Sequence, residues 1–157
     1  MQQTASSAHA IHELLETQVQ CALSTVGDGR PSQHLMAYAF DASLHDIFVA
    51  SLPLTEKARN MLRDPNVSLL WDNRTGNTSD HRHGVALAAQ GEARPLQGWM
   101  RARAAHLLQL RNPEIVPLLN RAGSVVFRVQ IDHYRLARGS NEVTTWHPAP
   151  DLSHSAA

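Results

Sequence analysis

Three short stretches combine residue types that can do chemistry. The first is Ser51 and the run Thr55-Glu56-Lys57, where a strand-like segment hands over to a helix-like one. A hydroxyl, an ammonium and the free N–H groups of a helix start suit a phosphate. The same residues also read as an ordinary N-cap followed by a solvated lysine. The second is Asn73-Arg74 in the loop "DNRTGN", where an amide and a guanidinium are either turn residues or anion contacts. The third is "SDHRHG", in which His81 and His83, two residues apart, could share a face as metal ligands. Only Asp80 offers itself as a third ligand, so solvated histidines are the expectation and no metal site is assigned. Ser24 and Ser51 have no histidine and acid at a recognisable spacing, so nucleophilic hydrolysis is unsupported.

The elements that must position these residues follow from periodicity. Ala58, Met61 and Leu62 recur at i, i+3 and i+4, which predicts a short helix capped by Thr55 and stopped at Asp64-Pro65. Ala8, Ile11, Leu14 and Leu15 share one helical face, predicting an N-terminal helix over about Ala8–Thr17 that packs on the main body. "CALSTV" and "SQHLMAYAF" flank "GDGR", a hairpin signature, and "IFVAS" adds a third strand to make an antiparallel meander. "VSLLW", "VALAAQGEARPL", "SVVFRVQIDHYRLAR" and "EVTTW" read as further strands, with Gly91 marking a bulge or a close backbone approach. "DNRTGNTSDHRHG" reads as loop. "WMRARAAHLLQLR" reads as a helix, and "PEIVPLLNR" as a second, short helix kinked or broken by Pro117 and closed by Gly123. The fold class expected is α+β: a mostly antiparallel, six- to seven-stranded split or closed β-barrel with flanking helices, since closure removes exposed edges. It divides into an N-terminal helix over 1–17, a barrel domain over 18–147 and a loose tail over 148–157.

Composition narrows the function. At 157 residues the chain is one domain, and 14 basic residues balance 14 acidic ones, so nothing in the charge favours nucleic acid or an anionic membrane. Cys21 is the only cysteine, which excludes an internal disulfide and suits a reducing cytosol. No stretch reaches transmembrane length and no secretory signal is expected at the N-terminus. The glycosylation-like triplets at Asn66, Asn73 and Asn77 are accordingly accidents of composition.

The order of "ALSTVGDGRPSQHLMAYAF", "IFVASLPLTEKARNMLRDPNVSLLWDNRTGN", "AAQGEARPL" and "VVFRVQIDHYRLARGSNEVTTW" resembles the FMN-binding split-barrel family related to pyridoxamine 5′-phosphate oxidase. The resemblance runs from about Ala22 to Trp146. It implies a homodimer with two FMN sites at the subunit interface, and a flavin-dependent oxidoreductase of unknown substrate. It further implies that His34, Leu35, Met36 and Ala37 lie along the flavin ring, that Ser51, Thr55 and Lys57 hold the phosphate, and that Ala50 belongs to the same cofactor site. The resemblance also implies that Asn73 and Arg74 reach flavin or phosphate oxygens and that Trp146 approaches the ring from the partner subunit. The alternative on the same fold is a non-enzymatic flavin or haem carrier; no axial haem ligand is identifiable. The chain departs from the vitamin-processing member in having His34 where that enzyme has arginine, Ala39 where it has a second basic residue, and Glu56 where a basic residue is common. "GSNEVTTW" also lacks that enzyme's Arg-x-His substrate pattern, so its substrate is not carried over. No side chain is assigned as a general acid or base.

Overall fold

The computed structural model describes residues 2–139 and 142–149, with side chains from Ser6 onward. The chain runs α1 (Gln2–Thr17), β1 (Gln20–Gly27), β2 (Arg30–Phe40), β3 (Asp46–Ser51), α2 (Glu56–Arg63), β4 (Asn66–Asp72), α3 (Asp80–His83) and β5 (Val85–Pro95). It continues through α4 (Gly98–Arg111), a 3-10 turn (Pro113–Ile115), α5 (Val116–Leu119), β6 (Val125–Arg138) and β7 (Glu142–Trp146). The sheet order is β3-β2-β1-β4-β5-β6-β7, and β3 also pairs with β6, from Asp46↔Gln130 to Ser51↔Val125. Six strands therefore close an antiparallel barrel, and β7 is an added strand on the far half of β6.

Local sequence accounts for the corners. The two-residue turn between β1 and β2 puts Asp28 and Gly29 at φ 51° and 73°, the twist that a tight hairpin requires. At Gly91 the β5–β6 register shifts, and a Cβ there would collide with the Gln130 carbonyl oxygen, so the bulge and the close approach coincide. The bulge leaves Asp132 as the extra residue. Val125, Phe127, Val129 and Ile131 face the interior before it, and Tyr134 and Leu136 after it.

The interior packs Leu23, Tyr38, Val49, Leu69, Leu87 and Phe127, all buried, and α1 plugs one end with Ile11, Leu14 and Leu15. Arg111 ties that plug down. Its guanidinium donates to the carbonyls of Leu15, Glu16 and Gln18 and lies 5.0 Å from the ring centres of both Tyr38 and Phe40. The Tyr38 hydroxyl donates to the Leu15 carbonyl at 2.7 Å. Outside the barrel, α4 lays Ala104 and Leu108 on Ala39, Phe48, Ala50 and Val126, a second apolar cluster. Each large side chain buried this way adds about 1.5–3 kcal/mol.

Two features differ from the sequence expectation, and the expected break after Pro113 is present. The N-terminal helix starts at Gln2 rather than near Ala8, because apolar spacing marks only the turns that face the barrel. The "PEIVPLLNR" segment is broken into a 3-10 turn and a four-residue helix, as its two prolines require. The polar loop after β4 contains α3, whose preceding turn is held by the Asp80 carboxylate accepting from the Thr75 and Gly76 amides. Of the tail over 148–157, residues 150–157 lie outside those described.

Candidate functional site

The start of α2 is built by two hydroxyls. Thr55 sits at φ −73°, ψ 153°, and its Oγ1 accepts from the Ala58 amide at 3.4 Å. The same hydroxyl donates its one proton to the Leu52 carbonyl at 2.9 Å, so the Ser51 hydroxyl, 2.7 Å away, is the donor between the two. One proton and two lone pairs are thereby used, and Ser51 is only 1% exposed. Thr55 and Ser51 thus fasten the β3–α2 corner and do not face outward as ligands. What remains for an anion is the first-turn backbone N–H groups and the Lys57 ammonium.

Lys57 is the single lysine against thirteen arginines. It is half-buried, no ion pair among the described residues includes it, and it stands in the first turn, where the helix dipole disfavours a cation. Its field reaches His34. Burial pushes the His34 imidazole below its ordinary value, the Lys57 charge pushes it further, and Glu56 pulls the other way. Strand β2 and α2 meet through Ser32 and Asn60, 3.3 Å apart.

Behind His34 lies a polar network that sets α2 over the barrel mouth. His34 Nε2 is 3.3 Å from Ser32 Oγ, Ser32 Oγ is 3.2 Å from Thr25 Oγ1, and the Asn60 amide donates to both hydroxyls at 3.3 and 3.0 Å. Gly27 leaves room for it, since a Cβ there would strike the Asn60 side chain. Sequence reasoning missed Asn60, a polar residue on the buried face of α2; that contrast with Ala58 and Met61 was the available signal.

The pleat divides the proposed ring contacts. Met36 points into the main core, while Leu35 is 72% exposed on the outer face and Ala37 packs under α4. Ala50 is buried in that same outer cluster. A planar ring can rest on the outer set only. Register supplies the rest of that surface: Leu35 is opposite Ala22, Ala22 opposite Leu70, and Leu70 opposite Ala88, giving an apolar row across four strands in which Leu70 is also exposed. The next row, Gln33, Ser24, Ser68 and Gln90, is polar. Ala22, Leu70 and Ala88 were not singled out from sequence, because a row across strands exists only once register is known.

The remaining candidates sit elsewhere in the protomer. Asn73 Oδ1 accepts from the Val85 amide at 2.6 Å and its own amide donates to the Val85 carbonyl, clasping β4 to β5. Arg74 pairs with Asp72 at 2.9 Å. Both border a cavity of about 310 Å3 with Leu70, Asp80 and Val85. His34, Leu23 and Leu69 are in register, so two strand spacings and four residues of β4 place Asn73 about 16 Å from His34. Trp146 packs its ring 5.9 Å from Tyr134 at the β6–β7 end. Within the chain Asn73 therefore stands apart from His34, and Trp146 packs at the β6–β7 end. His81 and His83 are exposed on α3, and residues i and i+2 of a helix do not share a face. No cluster of three or more metal-ligating side chains occurs among the described residues. Burial pushes the Cys21 thiol up to about 12, which makes it inert as a nucleophile.

Residues 7–134 match the family described as pyridoxamine 5′-phosphate oxidase. No curated protein matches the chain. Among solved structures it is similar to a heme binding protein from Mycobacterium smegmatis, at 14% identity and a TM-score of 0.81, covering 90% of this chain and 58% of that one. It is also similar to HutZ, the heme storage protein from Vibrio cholerae, at 19% identity and TM-score 0.71, covering 83% and 92%. A FAD-binding protein from Mesorhizobium loti matches at 19% identity and TM-score 0.66, covering 82% and 92%. These likenesses establish the fold.

Proposed function

We propose a function from one premise: the chain belongs to the pyridoxamine 5′-phosphate oxidase family. The reading is a cytoplasmic, homodimeric FMN-binding protein that acts as a flavin-dependent oxidoreductase, with its sites at the subunit interface. The observation that carries it is the chain's lone lysine, in no ion pair among the described residues, in the first turn of an eight-residue helix capped by Thr55. The donor set fits a dianionic phosphate. Lys57 supplies the charge and the Glu56 and Lys57 amides supply donors, while Ser51 and Thr55 hold the corner in place. Leu35 and Leu70 offer the ring an apolar bed. FMN, when bound, supplies the hydride chemistry, and the protein's part is binding, orientation and electrostatics. Burial and the Lys57 charge both favour the neutral His34 imidazole, which shares the Ser32 and Met36 face of β2, opposite the Leu35 face. Arg74, Asn73 and Trp146 enter this reading only as groups of the partner subunit.

The second reading, a flavin or haem carrier, is favoured by the shared fold of the Mycobacterium smegmatis heme binding protein and the Vibrio cholerae heme storage protein. Absorption spectra of the purified chain, titrated with FMN and separately with hemin, divide the two. The oxidoreductase reading expects flavin bands that bleach with NADH or NADPH and return in air. A Soret band without flavin uptake supports the carrier. A protein that stays colourless in excess FMN overturns the proposal.

A further inference from the structure

The bulge in β6 does more than bend the strand. Register runs from Gly91↔Ile131 to Gln90↔His133, so Asp132 is the unpaired residue and His133 begins the half of β6 that carries β7. On that ladder Tyr134 is opposite Trp146, which places His133 opposite His147 just past its end. The two imidazole centres are 5.8 Å apart with planes inclined at 42°. His147 Nδ1 lies 3.1 Å from the Asp132 carbonyl oxygen. A carbonyl can only accept, so Nδ1 carries the proton and Nε2 keeps its lone pair. A ring nitrogen donating to a backbone carbonyl while the other stays free is how metal-ligating histidines are oriented.

The spacing suits one ion shared by both rings. A metal–nitrogen bond of about 2.1 Å puts the ion about 3.2 Å from a ring centre, so ring centres stand about 5.2 Å apart for a tetrahedral nitrogen–metal–nitrogen angle and about 6.4 Å for a linear one, a range that spans the observed separation. His133 is half-buried and His147 exposed, which leaves solvent to complete the coordination. Imidazole pairs select zinc, nickel or copper over magnesium and calcium. We infer that His133 and His147 form a two-histidine chelate for a first-row divalent cation, clipping β7 to β6. This is independent of flavin binding.

Zinc chloride titrated calorimetrically into the metal-stripped full chain tests it. One site is expected, and His133→Ala and His147→Ala each weaken it by at least about tenfold. The double variant His81→Ala/His83→Ala binds as the parent does. Zinc also slows amide hydrogen exchange in Glu142–Trp146 in the parent and not in His147→Ala. Because both side chains reach solvent, the variants keep the parent's thermal melt without zinc. A parent chain that takes up no zinc overturns the inference, as does undiminished binding in either single variant.

Discussion

Replacing Lys57 by alanine separates an anion site from a plain helix cap. If the ammonium makes one charge-assisted hydrogen bond to a phosphate, its loss costs about 1.5–3 kcal/mol, which is about 10- to 160-fold in the FMN dissociation constant. Riboflavin, which has the ring and no phosphate, should bind the variant as it binds the parent. In the free protein the sign reverses. A cation is being removed from the first turn of α2, so the variant should be as stable as the parent or more so, by up to about 1 kcal/mol. His34 offers an internal check, since the Lys57 charge is the second cause of its lowered value, and that value should rise toward 6.5 in the variant. Flavin-fluorescence titrations with both ligands, a urea melt and an NMR titration of the His34 ring read the three quantities. Equal weakening of FMN and riboflavin, or none of either, would refute the phosphate assignment. Lys57→Arg keeps the charge but replaces a compact ammonium with a planar fork, and it should recover only part of the FMN affinity.

Three further outcomes follow from the packing and the charges. Arg111→Ala removes a guanidinium bonded to three carbonyls at the end of α1 and stacked on two rings; stability should fall by about 3 kcal/mol in urea melts, and Arg111→Lys should not restore it. His34 is held below 6.5 in the folded chain, so the stability it contributes is full above that value and is lost as pH falls through it. Melts at about pH 7 and pH 5 should show a decline that His34→Gln reduces. Asp46 runs the other way: burial raises its carboxyl, so its contribution is greatest at low pH and fades as pH rises through the raised value.

Much of the fold was written in local patterns. The Asp28-Gly29 turn, the Thr55 cap, the Asp64 stop and the Gly91 bulge are each set by local backbone or side-chain chemistry, and each is where the sequence placed it. The α3 turn was not legible because it has no apolar face and depends on one carboxylate, Asp80, reaching back to Thr75 and Gly76. The candidate site was half legible. Thr55, Lys57 and His34 sit on elements whose ends are locally encoded. The apolar row from Leu35 to Ala88 depends on register between distant strands, and the sheathing of Ala37 and Ala50 depends on α4, which arrives about fifty residues later.

The closure of the barrel also orders its assembly in time. β3 can satisfy its outer edge only with Val125–Gln130, roughly 75 residues further along the chain. During synthesis, at about 5–20 residues per second, that edge therefore stays open for several seconds after β3 has left the ribosome, and β5 forms the opposite open edge of the ribbon. The interval ends when β6 emerges and zips both neighbours together, so one late strand converts an open, sticky ribbon into a sealed cylinder.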